Sequence, residues 1–447
     1  MIRFQKVLLA VCALGALVSC QSSIPIAGLP YAPDSGTLAV RCGRLIDGLS
    51  DEVASDVTVM IENGRITAIG RDIAVPPGAR VLDLSDFTVL PGLIDMHTHV
   101  TDGSDGNYDL HAAYTTTAEE QLARGRGYAV ATLMAGFTSV RNVGVYRGFI
   151  DRDLRDEINA GVAIGPRMQI SGFYLTIPGG GGDLVIPGIP EQEIPPALRM
   201  GVSRGPEEFR RNAQTAIDGG ADLLKVIASG AVLAYGGIPG EPEMTPDELS
   251  AVAEVAHAAG KKLAAHAHGA RSVKEAILAG ADTIEHASLI DEEGIRLAKE
   301  RDVALAMDVY NGDYIDTEGR RLGWPQEFLD KNLATVDEQR RAFQLAYRIG
   351  APIVYATDSG VYPHGDNAKQ FRIMVGLGMK PMDAIRSATS VAAHYMGWAD
   401  RIGALEPGRY GDLIAVRGDP LTEIAVLEHV EAVIKGGLVF KRPAELR

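Results

Sequence analysis

The chain has 447 residues, of which 46% are hydrophobic and 23% are charged. This length exceeds one compact core and fits a large barrel with an appended domain, or two domains. The balance of 43 Lys and Arg against 58 Asp and Glu gives a net charge of −15. That charge argues against nucleic acid or anionic lipid as a partner and favours a soluble enzyme.

The first residues have the pattern of a bacterial lipoprotein signal. Arg3 and Lys6 precede an apolar run at residues 7–18, which is too short to span a bilayer stably. The run ends in Leu-Val-Ser-Cys, so cleavage would leave Cys20 as a lipid-modified N-terminus. An ordinary secretory signal that happens to contain a cysteine is the alternative.

We therefore predict a signal peptide at residues 1–20 and a Ser-, Pro- and Gly-rich tether at residues 21–36. Gln21, rather than Asp, after the cysteine favours anchoring to the outer membrane of a Gram-negative bacterium, facing the periplasm. After processing, Cys42 is the one remaining cysteine, which excludes an internal disulfide.

Short β segments occupy both ends of the mature chain. They are predicted at residues 37–41, 57–62, 65–69, 412–417, 432–435 and 438–441, with tight turns at Asn63-Gly64 and Gly436-Gly437. Because they flank an α/β region, we predict one small β-sandwich domain assembled from residues 37–92 and 403–447.

The region between them alternates strands and helices. Helices are predicted at residues 207–218, from a Thr245–Glu248 capping box to Gly260, from a Ser272–Glu275 capping box to Gly280, and at 337–349. Strands are predicted at residues 221–227, 262–266, 282–286 and 352–358. Repeated βα units imply a parallel sheet. Seven or eight units make residues 93–402 an α/β (β/α)8 TIM barrel, with residues 108–196 left unassigned.

The stretch at residues 91–99 is Pro-Gly-Leu-Ile-Asp-Met-His-Thr-His. It predicts a short strand that ends in two histidines separated by one residue. Because side chains at i and i+2 of a strand point the same way, His97 and His99 can hold one metal ion. Two surface histidines on a polar strand would give the same pattern.

Four further polar residues stand within or at the ends of predicted strands: Lys225, His266, His286 and Asp358. A lysine in an apolar strand is unfavourable unless its charge is removed or paired. Carbamylation of Lys225 by carbon dioxide would give a carboxylate able to bridge two cations. Four imidazoles and two carboxylates would then give each metal two histidines and leave room for a water.

Each of these residues also has an ordinary structural explanation. Lys225 alone could extend to solvent, either histidine could be a hydrogen-bonded core residue, and Asp358 could cap a helix. Their joint occurrence at the ends of consecutive strands favours a metal centre. His268 lies on the same side as His266, so spacing does not choose between these two as ligand.

Five motifs resemble the binuclear amidohydrolase superfamily and, more narrowly, its prolidase-like branch of metal-dependent carboxypeptidases, Xaa-Pro dipeptidases and ochratoxin A-degrading amidohydrolases. They are Met-His-Thr-His at 96–99, Lys-Val-Ile-Ala-Ser-Gly at 225–230, Ala-His-Ala-His-Gly at 265–269, Ile-Glu-His-Ala-Ser at 284–288 and Ala-Thr-Asp-Ser-Gly at 356–360. The resemblance implies two zinc ions, a carboxylated Lys225 as bridge, His266 rather than His268 as ligand, and Asp358 as both ligand and proton shuttle. It also implies a homo-oligomer.

The function implied is hydrolysis of an amide between an acyl or aminoacyl group and a C-terminal α-amino acid, by a metal-bridging hydroxide. Such a substrate has a free carboxylate, for which Arg141, Tyr235 and His364 are the candidate contacts. The alternatives are a cyclic amide such as imidazolonepropionate, a lactone or a phosphotriester on the same metals, and a non-catalytic binding lipoprotein. Manganese and cobalt suit the same ligands as zinc.

Two positions depart from the pattern of the branch. Arg141 is followed by Asn142 where the branch commonly has Asp, and Gly181 stands where the branch commonly has histidine. We expect Gly181 to leave space in the pocket. A wider, less polar pocket would suit a bulky aromatic acyl group, such as that of ochratoxin A, better than a small dipeptide.

Overall fold

A computed structural model describes residues 36–102 and 108–446. The predicted signal peptide with Cys20, and the tether except its last residue, lie outside the described residues. The strands are β1 (Thr37–Ile46), β2 (Val53–Glu62), β3 (Arg65–Gly70), β4 (Arg80–Pro91), β5 (Leu93–Thr98), β6 (Phe137–Asn142), β7 (Arg167–Ile170), β8 (Leu223–Ile227), β9 (Lys262–Gly269), β10 (Thr283–Leu289), β11 (Ala304–Ala306), β12 (Ile353–Val354), β13 (Leu413–Val416), β14 (Val430–Lys435) and β15 (Leu438–Lys441).

The helices lie mainly between the strands from β5 onward. They are α1 (Leu110–Thr115), α2 (Ala118–Met134), α3 (Ile150–Asn159), α4 (Gly205–Asp218), α5 (Pro246–Ala258), α6 (Ala270–Ala279), α7 (Glu292–Glu300), α8 (Asn311–Tyr314), α9 (Arg320–Leu322), α10 (Gln326–Ile349), α11 (Lys369–Gly376), α12 (Pro381–Ser387) and α13 (Ser390–Tyr395). A π-helical turn at Ile315–Gly319 joins α8 to α9, and short 3-10 turns lie at Glu191–Glu193, Pro196–Leu198, Ile424–Glu428 and Ala444–Leu446. Among these described helices, none has the length and apolarity that crossing a bilayer requires.

Strands from both ends of the chain form one seven-stranded sheet in the order β15-β14-β13-β4-β1-β2-β3. Neighbours are antiparallel except β1 and β4, which are parallel. Both predicted two-residue turns are present, since Asn63, Gly64, Gly436 and Gly437 all have positive φ, as such hairpins require. Strands from both termini are therefore joined in one sheet.

This sheet has an apolar core of its own. Residues such as Leu38, Val59, Leu84 and Ile434 are buried against one another. The free thiol of Cys42 lies in the same core, where burial raises its pKa to about 12. A thiol with so high a pKa is not a nucleophile at neutral pH.

The described residues contain eight parallel strands, in the two sheets β5-β6-β7 and β8-β9-β10-β11-β12. Backbone bridges join the sheets at both edges, between Leu175 and Val226 and between Thr98 and Ser359. The unassigned region supplies β6 and β7, which brings the number of strands to eight. The arrangement is an α/β fold of the TIM-barrel type.

A single residue, Gly92, connects β4 of the seven-stranded sheet to β5. Its N–H donates to Asp412 O at 2.9 Å, and a Cβ added there would lie 2.1 Å from Thr138 Oγ1. Any side chain would force the two sheets apart. Gly92 thus fixes β5, the strand with the two histidines, against the terminal sheet.

Several helix predictions are confirmed. The Thr245–Glu248 capping box opens α5, and Gly280 and Gly350 end α6 and α10 in the left-handed conformation. The predicted capping box at Ser272 is wrong. Helix α6 already begins at Ala270, so Ser272 lies in its first turn and its hydroxyl donates to Gly269 O at 2.9 Å.

Two predicted boundaries are also wrong. Helix α10 begins at Gln326 rather than near residue 337. The last parallel strand, β12, has two residues instead of the predicted seven. Beyond it the N–H of Tyr355 donates to Ser387 O, outside the sheet, and Asp358 turns the chain with a φ of 57°.

Candidate metal centre

The carboxyl ends of the parallel strands surround one cavity of about 1440 Å³, including its open mouth. Because these ends meet at the same edge of the fold, polar residues far apart in sequence become neighbours. All six predicted metal ligands line this cavity, and so do three residues that the sequence analysis did not assign: His268, Asp308 and Asn311.

The ligand atoms form two overlapping groups. The first joins His97, His286 and Asp358, and the second joins His266, His268 and His286, with the ligand atoms of each group within 4.8 Å of one another. These residues are all buried. Two such groups that share His286 are a donor set that could hold a pair of neighbouring cations.

Hydrogen bonds fix the orientation of three of these imidazoles. Nδ1 of His97 lies 2.8 Å from Glu285 Oε2, and Nδ1 of His286 lies 3.1 Å from Asp308 Oδ1. Nδ1 of His99 lies 3.0 Å from the carbonyl oxygen of Gly144. Since an oxygen acceptor holds each Nδ1–H, each Nε2 is left as a lone-pair donor for a metal.

Asp358 faces the same Nε2 atoms. Its Oδ1 lies 3.1 Å from His99 Nε2 and 3.4 Å from His97 Nε2. Asn311 Nδ2 donates to the other oxygen, Oδ2, at 2.9 Å. Oδ1 of Asp358 is thus directed at the predicted metal positions while Oδ2 is held from behind.

His266 and His268 remain alternatives in the structure as in the sequence. Nδ1 of His268 lies 2.9 Å from Ser288 Oγ, and Nε2 of His266 lies 3.5 Å from the carbonyl oxygen of Gly230. Each ring therefore keeps one nitrogen free. Burial lowers the pKa of His268 to about 3 and that of His266 well below its ordinary value, so both are neutral and able to bind a metal.

Lys225 stands beside these imidazoles with a side chain that is 1% exposed. Within the described ranges, no hydrogen bond or ion pair reaches its Nζ. Burial lowers its pKa to about 8. An ammonium that is buried without a partner is unfavourable, so this amine fits a position that is chemically modified or bound.

The backbone is strained where two of these residues lie. His286 and Asp358 have φ values of 68° and 57°, and Ala287 has 49°. Residues other than glycine rarely adopt this left-handed region, at a cost of about 1–3 kcal/mol each. Both strands turn sharply at the residue whose side chain faces the cavity, which directs His286 and Asp358 toward the other ligands.

Arg141 is not placed to contact a substrate. It is 2% exposed and does not line the cavity. Its guanidinium donates to Met96 O at 2.6 Å, Thr283 Oγ1 at 3.0 Å and Glu285 Oε1 at 2.7 Å. It therefore supports the carboxylate that holds His97, and its candidacy as a carboxylate contact is wrong.

Tyr235 and His364 also lie outside the cavity lining. The ring of Tyr235 packs on Phe328 with centroids 4.9 Å apart. The ring of His364 stacks on Tyr128, and burial lowers its pKa to about 3. Both residues contribute to packing behind the cavity, so neither is in position to hold a substrate carboxylate.

The expectation that Gly181 leaves space is wrong at the point where a side chain would begin. A Cβ at this position would lie 2.8 Å from Ala231 Cβ and 3.2 Å from Ile227 Cγ2. The N–H of Gly181 donates to Glu243 Oε2 at 2.8 Å, which holds the loop in place. Gly181 therefore packs closely against Ala231 and Ile227 where it lines the cavity.

The wall away from the histidines is mainly aromatic and apolar. It contains Tyr108, Leu110, Tyr146, Val232, Leu233, Ile315, Val336 and Val361, whereas Tyr174 lies beside His99. Besides Lys225, the cationic side chain that lines the described part of the cavity is Arg124, at an exposed position of α2. The cavity therefore combines a polar end, an apolar wall and one guanidinium.

The residues that sequence analysis missed follow a signal that was available. Asp308 comes two residues after the apolar strand β11, Asp358 comes four residues after β12, and Glu285 directly precedes His286. The same rule about polar residues at strand ends would have found Asp308. Nothing local in the sequence indicates that Asn311 lies between two carboxylates.

The family model described as the Amidohydrolase family matches residues 88–439. The chain belongs to this family and is a hydrolase of its prolidase-like branch.

Three relatives show the extent of the similarity. Ochratoxinase of Aspergillus niger is 30% identical over 430 residues, which cover 90% of this chain and 86% of the relative. A solved Xaa-Pro dipeptidase with methionine bound in its active site is 34% identical, with a TM-score of 0.84 and coverage of 91% of this chain and 100% of that chain. Imidazolonepropionase of Geobacillus kaustophilus is 26% identical over 424 residues, covering 86% of this chain and 89% of the relative.

Asn142, which stands where the branch commonly has Asp, is buried beside the carboxylate of Asp151. Its Oδ1 accepts from the N–H of Val100 at 2.7 Å, and its Nδ2 lies 3.5 Å from Asp151 Oδ2. Burial raises the pKa of Asp151 to about 6. The negative charge lacking at position 142 is thus present at Asp151, and a second one would be repelled.

We predict that Asn142→Asp destabilises the protein in a pH-dependent way. Burial and Asp151 would raise the folded-state pKa of the new carboxyl above its unfolded value. The new carboxyl then makes its full contribution to the free energy of unfolding below its pKa in the unfolded chain, which is about 4. This contribution is lost as the pH rises through its pKa in the folded protein. We expect the variant to lose about 3 kcal/mol of unfolding free energy between pH 5 and pH 8, relative to wild type.

Denaturant unfolding at both pH values measures this loss. Asn142→Ser is the control, since it removes the same amide without adding charge, and its pH-dependent difference reports only the lost hydrogen bond to Asp151 and should be smaller than that of Asn142→Asp. An equal deficit for Asn142→Asp at pH 5 and pH 8 would contradict the prediction.

Proposed function

We propose that this protein is a binuclear zinc hydrolase that cleaves the amide between an acyl or aminoacyl group and a C-terminal α-amino acid. The observation that carries the proposal is Lys225, a buried amine without a partner beside His97, His286 and Asp358. Carboxylation would convert its unfavourable positive charge into an anion that two cations neutralise. Membership of the Amidohydrolase family supports the same chemistry.

In this proposal His97, His99 and Asp358 would hold one zinc ion, His266 and His286 would hold the other, and carboxylated Lys225 would be a ligand available to both. When bound, the ions would polarise the amide carbonyl and activate a water for attack on it. Glu285 and Asp308 keep His97 and His286 in the tautomer with a free Nε2.

Asp358 is the proposed general base and acid. Its Oδ1 faces His97 and His99, so it can take a proton from the attacking water and give it to the leaving nitrogen. The leaving group needs this proton, because an amide anion is a very poor leaving group. Asn311 holds Oδ2 and keeps the carboxylate from rotating away.

The aromatic and apolar wall supports a bulky acyl group on the substrate, of the kind found in N-acyl-phenylalanines such as ochratoxin A. In this proposal Arg124, whose guanidinium lines the cavity, binds the free carboxylate of the substrate. Its guanidinium donates to Thr116 Oγ1 at a long 3.5 Å and lies one helical turn from Glu120, so a substrate carboxylate would compete with an exposed carboxylate for it.

The remaining parts of the proposal concern architecture and location. The bridges at both edges support closure of the eight strands into a (β/α)8 barrel at residues 93–402. The single sheet shared by the two termini supports one terminal domain from segments 37–92 and 403–447, without the second layer that a sandwich would need. The N-terminal sequence supports lipid attachment at Cys20 and a periplasmic location in a Gram-negative bacterium. We also propose a homo-oligomer, on the resemblance to the branch.

The metal centre is tested by Lys225→Met, which keeps the length of the side chain but cannot be carboxylated. Wild type reconstituted with zinc in bicarbonate buffer should bind about two ions per chain, and carbon dioxide-free buffer should reduce that number. Lys225→Met should bind fewer ions in both buffers. Two tightly bound ions in the variant, measured by elemental analysis after desalting, would overturn the proposed bridge.

The substrate class is tested by kcat/KM on a panel of N-acyl-phenylalanines, cyclic amides, lactones and phosphotriesters. We expect N-acyl-phenylalanines to be preferred, and their carboxamide derivatives to lose roughly tenfold or more because the charge-assisted bond to Arg124 is lost. In Arg124→Ala that difference should largely disappear, whereas Arg124→Lys should retain part of it. Preferred cleavage of a cyclic amide would replace the proposed activity.

Asp358→Asn should lower kcat by roughly 100- to 10,000-fold and change KM far less, since the carboxamide cannot carry the proton. Steady-state kinetics on the zinc-loaded variant measure both quantities. Zinc content must be determined in parallel, because Asp358 is also a proposed ligand. A variant with full zinc and a normal kcat would remove Asp358 from the mechanism.

A further inference from the structure

The loop that follows β8 folds back on itself beside the cavity. It covers residues 228–245 and is closed at its base, where the N–H of Glu243 donates to Ala228 O at 2.9 Å. We call residues 231–237 the tip of this loop. Three residues of the tip line the cavity: Ala231, Val232 and Leu233.

The tip contains no helix or strand that would hold its shape. Among the described residues, its backbone forms hydrogen bonds only with Glu327 and Lys331, two side chains of α10. Gly236 and Gly237 both have positive φ, and nothing lies within 4 Å of a Cβ added to Gly236. A segment with so few internal bonds keeps one conformation when its neighbours hold it.

Lys331 supplies much of this support. Its Nζ donates to Ala234 O at 2.7 Å and to Gly236 O, and it forms an ion pair of 2.7 Å with Glu327. An ammonium has three hydrogens, and these three acceptors use all of them. The side chain of Lys331 is 12% exposed, so water competes little for these bonds.

Glu327 completes the connection from the same helix. Its Oε1 accepts from the N–H of Gly236 at 3.0 Å and also pairs with Lys331. Hydrogen bonds to charged groups are stronger than those between neutral groups. Beside them the ring of Tyr235 packs on Phe328 of α10, with centroids 4.9 Å apart. We call Glu327 and Lys331 the clamp.

The helix that bears the clamp is itself a wall of the cavity. Asn332 and Val336, which follow Lys331 along α10, line the same cavity as the tip. On its other side the tip meets Gly181, where a Cβ would lie 2.8 Å from Ala231 Cβ. The clamp therefore fixes the width of the apolar region between α10 and the tip.

We propose that Lys331 is a specificity-determining residue, which clamps the tip and so fixes the apolar pocket that receives the acyl group of the substrate. The inference rests on the proposed function, because it takes the apolar wall as the acyl site. In the described part of the chain Lys331 is set back from the cavity lining. It is thus a positioning residue, acting through Val232 and Leu233.

The clamp should matter most for large acyl groups. A wall that is already ordered lets a large acyl group gain apolar contacts without the entropy cost of ordering the loop. An acetyl group is too small to depend on those contacts. Release of the tip leaves Asp358 and the proposed metal ligands in place, so the effect should fall on KM rather than on kcat.

The test uses zinc-loaded full-length protein with N-benzoyl-phenylalanine and N-acetyl-phenylalanine, which differ in the size of the acyl group. Lys331→Met keeps an apolar stem and removes the three donors, whereas Lys331→Arg keeps donors. Lys299→Met is the matched control. Lys299 also holds a backbone carbonyl of α10, Ile349 O at 2.7 Å, but among the described residues it lies away from the cavity lining.

We expect the ratio of kcat/KM for the benzoyl compound over the acetyl compound to fall about tenfold in Lys331→Met, through KM. Lys331→Arg should recover part of the ratio, and Lys299→Met should keep that of wild type. Glu327→Ala replaces Lys331→Met if that variant does not fold. An unchanged ratio in the clamp variants, or an equal loss on both compounds, would overturn the inference while leaving amide hydrolysis intact.

Hydrogen exchange followed by mass spectrometry examines the clamp without turnover. Peptides that cover residues 229–243 should exchange faster in Lys331→Met than in wild type or Lys299→Met, because the tip has lost its external bonds. Unchanged exchange there would also overturn the inference. Absence of turnover on every amide would refute the proposed function, and calorimetric binding of the two compounds to the same proteins would then decide the role of Lys331.

Discussion

The centre of this structure is organised by the burial of one amine. Lys225 lies in an apolar strand with its side chain 1% exposed, and burial lowers its pKa to about 8. Among residues 36–102 and 108–446, no acidic side chain lies within hydrogen-bonding distance of this amine, since Glu285 is engaged by Arg141, Thr283 and His97. Such an amine is tolerated when its charge is removed or reversed, which is why its surroundings suit a carboxylated lysine between two cations.

The residues behind the ligands form two sets that meet at the histidines. Arg141 and Glu285 fix His97 from one side, and Asp308 with Asn311 fixes His286 and Asp358 from the other. Both sets are buried, so the imidazoles have one orientation each. This rigidity explains how strained backbone at His286 and Asp358 is retained, since the surrounding bonds hold it.

Much of the fold and of the candidate centre could be predicted from the sequence. The hairpins at Asn63-Gly64 and Gly436-Gly437, the capping box of α5 and the glycine-ended helices depend on neighbouring residues, and these predictions were confirmed. Errors arose where a distant contact overrides the local pattern. Ser272 resembled a cap although α6 starts two residues earlier, and β12 is short because the N–H of Tyr355 donates to Ser387 O of α12 while its carbonyl oxygen accepts from Met96 of β5.

The sequence by itself determined which side chains gather, because parallel strands bring their carboxyl ends together whatever the loops between them do. His97, His99, Lys225, His266, His286 and Asp358 all line one cavity for this reason. Only the tertiary structure decided which polar residues support them and which reach solvent. Arg141 turned inward to Glu285, Tyr235 and His364 packed behind the wall, and Asn311 came between two carboxylates. The contact of Arg141 with Glu285 alone joins residues 144 positions apart, and no periodicity in the sequence records a distance of that kind.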